Sequence, residues 1–74
     1  MKKRFYADTF RATETLQNGK ERTCLRTVYS DCFTADGRNN GFQNRISKAI
    51  GVLANEHLYN IEYVKSASVT MLFT

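Results

Sequence analysis

Two segments near the start of the chain alternate between apolar and polar residues and are rich in threonine and aromatic side chains. They cover residues 3–16 and 22–34, and their residue types favour strands. Asn18-Gly19 lies between them, and Asn-Gly is typical of a two-residue type I′ turn. The pattern therefore predicts a β-hairpin in which Thr15 faces Arg22 and Arg11 faces Arg26.

This register assigns the side chains of the hairpin to two faces. One is apolar enough to be the core face, and we expect it to carry Tyr6, Phe10, Ala12, Leu16, Leu25, Tyr29 and Phe33. The opposite, mixed face is expected to carry Phe5, Ala7, Thr9, Arg11, Thr13, Cys24, Arg26, Val28, Ser30 and Cys32.

The second half of the chain predicts one helix and one further strand. A loop at residues 36–41 leads into the helix, for which Asn39 or Asn40 is the expected N-cap. Apolar residues with helical spacing follow, and the expected core contacts are Phe42, Ile46, Ala49, Ile50 and Leu53. The last segment has period two, with an expected buried face of Ile61, Tyr63, Ala67, Val69, Met71 and Phe73.

The order of these elements is β-β-α-β, which predicts an α+β fold formed by a single domain over residues 1–74. The helix would cross over in the right-handed sense and place the third strand beside the first. The prediction is a three-stranded antiparallel sheet of order 2-1-3 with the helix packed on one face.

Composition and motifs argue against an enzyme. The 74 residues carry a net charge of +4 and are 42% hydrophobic, with no proline. There is no phosphate-binding loop and no metalloprotease or CxxC motif, so we expect no catalytic activity, cofactor or small-molecule substrate. Cys24 and Cys32 would lie about 26 Å apart along one strand, too far for a disulfide, and with one histidine they do not make a zinc site. No segment is long enough to span a membrane, and the expected location is cytoplasmic.

Several residues are candidates for binding a partner. If Arg11 and Arg26 face each other, their repulsion is relieved by an acidic neighbour such as Glu62, by extension of the side chains into water, or by a bound anion, which the hydroxyls of Thr9 and Thr13 would flank. Phe5 and Val28 are apolar residues on the face that one helix leaves uncovered. Arg45 and Lys48 are expected to project from the helix, either as an ordinary solvated face or as part of a basic surface.

Two functions fit these features. The first is a small non-enzymatic protein-binding module, self-associating as a homodimer or acting as an accessory or inhibitor protein, since chains of this kind are typical of bacteriophages and other mobile elements. The second is a nucleic-acid-binding domain that uses a basic sheet face and the N-terminal arm Lys2, Lys3 and Arg4.

Overall fold

The computed structural model describes residues 1–72 and has the predicted β-β-α-β order. The strands are β1 (Lys2–Thr15), β2 (Glu21–Asp31) and β3 (Tyr59–Leu72), and the helix is α1 (Phe42–Asn55). Both β2 and β3 pair antiparallel with β1, in the spatial order β2-β1-β3. The predicted fold class and strand order are confirmed. The expected position of Phe73 lies outside the described residues.

The turn between β1 and β2 is one residue longer than the sequence pattern predicted. Gly19 N–H donates to the Leu16 carbonyl at 2.9 Å, and Leu16 N–H donates to the Lys20 carbonyl at 2.7 Å. Gly19 has a φ of +83°, whereas Asn18 does not adopt positive φ and instead accepts from Lys20 N–H at 3.0 Å. This is the pattern of a three-residue loop that ends in a left-handed glycine, and not that of a type I′ turn.

The longer loop shifts the pairing of β2 by one residue and therefore turns each of its side chains to the opposite face. Thr15 faces Glu21, so the predicted pairing of Thr15 with Arg22 is wrong. Leu25 and Tyr29 lie on the face away from α1 and are 60% and 55% exposed. Cys24 and Val28, which were expected on that face, pack against the core.

The third strand also departs from its predicted single apolar face. Its register against β1 shifts between Thr9 and Phe10 and again between Arg11 and Thr13. Because of the first shift, Tyr63 pairs with Phe10 while Ser66 pairs with Asp8. Tyr63 is therefore on the side of α1. The sheet face away from α1 carries three residues that were expected on the same face as Tyr63, namely Ala67, Val69 and Met71.

The core is small and lies between α1 and the middle of the sheet. Its buried residues are Phe10, Ala12, Ala49, Leu53 and Leu58, and Cys24, Val28, Ile46 and Ile61 pack around them. Of the predicted helix contacts, Ala49 and Leu53 are buried and Ile46 is half-buried. Phe42 and Ile50 are 49% and 41% exposed, so their predicted burial is wrong.

The loop before α1 contains a second tight turn with the hydrogen bonds of the first. Gly37 N–H donates to the Thr34 carbonyl at 2.9 Å, Thr34 N–H donates to the Arg38 carbonyl at 2.7 Å, and Gly37 has a φ of +83°. The Thr34 hydroxyl also donates to Asp36 and lowers the pKa of that carboxyl. Gly41 is the N-cap of α1, and within residues 1–72 no side chain caps the first turn, so the expected asparagine cap is wrong.

The sheet is much longer than the helix that covers it. A 14-residue strand extends over about 46 Å, whereas the 14 residues of α1 extend over about 21 Å. The molecule measures 44 × 27 × 19 Å, and its radius of gyration of 14.2 Å exceeds the roughly 11 Å of a compact chain of this length. The helix therefore covers only part of one sheet face.

Candidate functional site

The sheet face opposite α1 is the first candidate binding surface, and we call it the open face. The register places on it the residues of β1 with odd numbers and their partners in the two neighbouring strands. Its central members are Phe5, Ala7, Thr9, Arg11, Thr13, Leu25, Thr27, Tyr29, Glu62, Lys65, Ala67, Val69 and Met71.

One half of the open face is almost entirely apolar. In the sheet, Ala7 lies between Tyr29 and Ala67, and Phe5 is paired with Val69. Together with Met71 these residues form what we call the apolar patch. Its members are Phe5, Ala7, Tyr29, Ala67, Val69 and Met71.

An ion pair borders the apolar patch. Lys3 Nζ lies 3.1 Å from Asp31 Oδ1 and 5.4 Å from the centre of the Phe5 ring. Tyr29 is 55% exposed and Met71 is 37% exposed, so large apolar side chains of the patch are accessible. Such a contiguous apolar area with a charged border is typical of an interaction site.

The other half of the open face is polar and internally paired. Arg11 faces Leu25 across the strands, and its Nη1 donates to Glu62 Oε2 at 3.5 Å. Glu62, the acidic neighbour considered above, is therefore the partner of Arg11. The hydroxyls of Thr9 and Thr27 lie 3.2 Å apart, and Thr13 is half-buried between Thr23 and Tyr59.

The predicted juxtaposition of Arg11 and Arg26 is wrong, because the shifted register puts them on opposite faces. Arg26 faces Phe10 on the side of α1. Its Nη1 donates to the Leu25 carbonyl at 3.0 Å and its Nη2 donates to Glu14 Oε2 at 3.4 Å. Glu14 Oε1 also accepts from Arg22. The expected anion site between the two arginines is not assembled.

Three further candidate binding residues do not form the surfaces that were expected of them. Val28 packs against the core instead of lying on the open face. Arg45 is 7% exposed and takes no part in a basic helix surface. Lys48 is exposed on α1 as predicted, but it is not joined there by Arg45. Phe5, Thr9, Thr13 and Arg11 therefore share the open face, without Arg26 or Val28.

The sequence pattern did not predict one feature that resembles a functional site, which is a buried ion pair between Asp8 and Arg45. Arg45 Nε donates to Asp8 Oδ2 at 3.1 Å and Nη2 donates to Oδ1 at 3.3 Å, while the carboxylate is 1% exposed. Nη1 donates to the Asn40 carbonyl at 3.0 Å, and the guanidinium lies 3.8 Å from the centre of the Tyr6 ring. Ser66 also donates to Asp8, so the cluster links β1, α1 and β3.

Each side-chain nitrogen of Arg45 donates at least one hydrogen bond, both carboxylate oxygens of Asp8 accept one or more, and the pair is shielded from solvent. A bidentate arginine with a third hydrogen bond and an aromatic ring on its face is well compensated for its loss of hydration. Its chemistry is therefore that of a clamp that fixes the start of α1 on the sheet. The sequence held a signal for it, because Arg45 precedes Ala49 and Leu53 at helical spacing and Asp8 lies between Tyr6 and Phe10 on the core side.

A second candidate surface is a groove near the start of β1. It is lined by Lys2, Lys3, Arg4 and the segment from Asp31 to Ala35. Arg4 Nη2 donates to the Ser68 hydroxyl at 3.1 Å, and the nearby Phe33 ring is 61% exposed. The groove therefore combines cationic side chains with an accessible aromatic ring.

The thiols and carboxylates form no metal-binding group in the part of the chain that is described. Cys24 and Cys32 are both free, and both lie on the side of α1 instead of on the face away from it. Cys24 donates to the Ala12 carbonyl at 3.5 Å, and Cys32 is buried. Among residues 1–72, no group of three or more His, Cys, Asp or Glu side chains could hold a metal ion. Over the same range, no helix is sufficiently long and apolar to cross a membrane.

Comparison with protein-family models, with curated proteins and with solved structures gives no significant match.

Proposed function

We propose that this chain is a small non-enzymatic protein-binding module whose binding surface is the open face. The observation that carries the proposal is the apolar patch, which lies on the sheet face that α1 does not cover. An accessory or inhibitory role suits such a module, since it acts by occupying a surface on its partner. The partner surface is expected to be apolar at its centre, with polar groups that meet the Lys3–Asp31 and Arg11–Glu62 ion pairs at the border.

Tyr29 is the side chain from which we expect the largest contribution. It is an aromatic residue, 55% exposed, in the row that runs through Ala7 and Ala67. Aromatic residues at the centre of an interface usually dominate the binding energy, and small neighbours let a partner side chain approach the sheet closely. Ion pairs at the border contribute mainly to orientation.

The test uses Tyr29→Ser, which removes the aromatic ring without changing net charge. Partners captured from the source cell by the immobilised wild-type chain are identified, purified and titrated against both proteins by calorimetry. Val52→Ser is the matched control, because Val52 is 46% exposed on α1. We expect Tyr29→Ser to weaken binding at least tenfold and Val52→Ser to leave it unchanged. Equal affinity of both variants and the wild type would overturn the proposal.

A second candidate function is nucleic-acid binding, and the groove at the start of β1 favours it. Lys2 and Arg4 would contact phosphates while the exposed Phe33 ring stacks on a base, a combination typical of single-strand binding. The net charge of +4 supports the same interpretation. The open face supports it less, because Arg11 and Lys3 are both paired with carboxylates.

Salt dependence separates this candidate from the first. Affinity for a fluorescent single-stranded oligonucleotide should fall steeply with salt, because each neutralised phosphate releases counterions. A variant with Lys2, Lys3 and Arg4 changed to Ser should flatten that dependence, and Lys20→Ser, which changes an exposed lysine in the β1–β2 turn, serves as the control. The absence of binding at low salt would exclude this function.

A further inference from the structure

The two edges of the sheet differ sharply in charge. The strand order makes β2 one edge and β3 the other. Four charged residues, Glu21, Arg22, Arg26 and Asp31, lie along β2. The β3 segment Ser66–Leu72 has no charged residue, no glycine and no proline. Charges and proline are the usual devices that keep an edge strand from pairing with another chain, and this segment lacks them.

The same segment is regular and uncovered. It pairs with β1 in an unbroken register from Lys2 with Leu72 to Asp8 with Ser66, beyond the irregularity near Val64. The β3 residues Ile61 and Tyr63, which contact the core, lie in the other half of the strand. All residues of the segment except the half-buried Val69 are exposed.

We propose that a second copy of this chain pairs antiparallel with this segment, edge to edge, and forms a continuous six-stranded sheet. With the two-fold axis at Val69, Ala67 faces Met71 of the other copy and Ser68 faces its Thr70. Apolar side chains then meet on one sheet face and hydroxyl groups meet on the other, which are favourable cross-strand pairs. The two apolar patches become neighbours on one extended platform.

A second copy, and not an unrelated peptide, is favoured by two observations. The segment is self-complementary in this register. Pairing of two copies of it also places no like charges opposite each other, although the chain carries a net charge of +4. The accessible surface of 5521 Å² also exceeds the roughly 4,650 Å² of a monomer of 8.5 kDa. This surplus belongs to the whole elongated molecule, and pairing at the β3 edge would bury part of it.

The first measurement is the molar mass by light scattering over a range of concentrations up to high micromolar. We expect a mass of twice the 8.5 kDa of the chain at the upper end. Val69→Lys and Val69→Glu should each be monomeric, because like charges meet at the two-fold axis, and an equimolar mixture of the two should regain the doubled mass. Thr23→Lys, on the other edge strand, should remain dimeric.

Proline substitution tests whether the backbone edge is responsible. Adjacent strand residues direct their N–H groups alternately towards β1 and away from it, so only one of Ser68→Pro and Val69→Pro keeps the bonds to β1. The variant that stays folded should be monomeric. A wild-type chain that is monomeric at every concentration, a folded proline variant that remains dimeric, or a Val69→Lys and Val69→Glu mixture that stays monomeric would each overturn the proposal.

This inference needs only the edge of β3, so it can fail without the proposed function. Tyr29→Ser lies on β2 and should leave the dimer mass unchanged while it weakens partner binding. Loss of partner binding with an intact dimer therefore tests the proposed function alone, and loss of the dimer in the folded proline variant tests the edge pairing alone.

Discussion

Arg45 donates to both carboxylate oxygens of Asp8 across the interface between α1 and β1, with both side chains almost fully buried. The pair connects the first turn of the helix to the central strand at the border of the apolar core, where Val28 lies opposite Asp8. We infer that the position of α1 depends on this pair as much as on the packing of Ala49 and Leu53. Removal of one member would leave the other charged and buried without a partner.

We therefore expect Arg45→Met to lower the free energy of unfolding by about 3–5 kcal/mol. A domain of this size has little stability in reserve, so the variant should be largely unfolded in circular dichroism at room temperature. Lys48→Met is the matched control on the same helix, and its exposed side chain should change stability by less than about 0.5 kcal/mol. Similar urea midpoints for the two variants would contradict the structural role of the pair.

Truncation of the core should separate buried from exposed apolar residues. Phe10 is 0% exposed, so we expect Phe10→Ala to cost about 3–5 kcal/mol. Ile50 belongs to the same predicted apolar stripe of the helix but is 41% exposed, and Ile50→Ala should cost much less than the about 2–5 kcal/mol of a buried isoleucine. Thermal melts of both variants measure the difference. If Ile50→Ala is as damaging as Phe10→Ala, the helix is rotated relative to the structure.

The elements and their order could be predicted from the sequence, but the faces of the sheet could not. Strand and helix periodicity identified all four elements, and the crossover made by the helix predicted the order 2-1-3. The face of β2 depended on whether Asn18-Gly19 forms the two central positions of a turn or, with Gln17, a three-residue loop. Both loops use Asn-Gly, and the choice reverses every β2 side chain.

Local irregularities in the strand pairing also explain why several candidate residues were assigned to the wrong sheet face. The loop sends Val28 and Arg26 to the side of α1, and the irregularity near Val64 sends Val69 and Met71 to the open face. One extra residue in a strand cannot be detected from the period-two pattern of the sequence, because apolar and polar residues alternate again after it. Arg45 was missed for a different reason, since a charged residue at helical spacing is usually solvated and its partner Asp8 is 37 residues away.

The corrected position of Arg26 reverses the expected effect of its removal. Opposite Arg11, its loss would relieve repulsion, but in the structure it is bonded to Glu14. We expect Arg26→Thr to destabilise the fold by about 0.2–1 kcal/mol, the usual value for a partly exposed ion pair. A double-mutant cycle should show coupling between Arg26 and Glu14 and none between Arg26 and Arg11. Stabilisation by Arg26→Thr would support the two-residue turn instead.

The glycines allow opposite predictions from one substitution. Gly51 lies inside α1, and a Cβ built there meets nothing within 4 Å, so no close approach requires a glycine at this position. Gly51→Ala should therefore stabilise the fold by about 0.5–1 kcal/mol, through better helix propensity and a less flexible unfolded chain.

At Gly19 the Cβ also has space, but the φ of +83° makes Gly19→Ala cost about 1–2 kcal/mol. Thermal melts should thus move in opposite directions, by roughly 4–8 °C per kcal/mol. A rise in melting temperature for Gly19→Ala would show that the turn is not closed by a left-handed residue, and the three-residue loop would then be wrong.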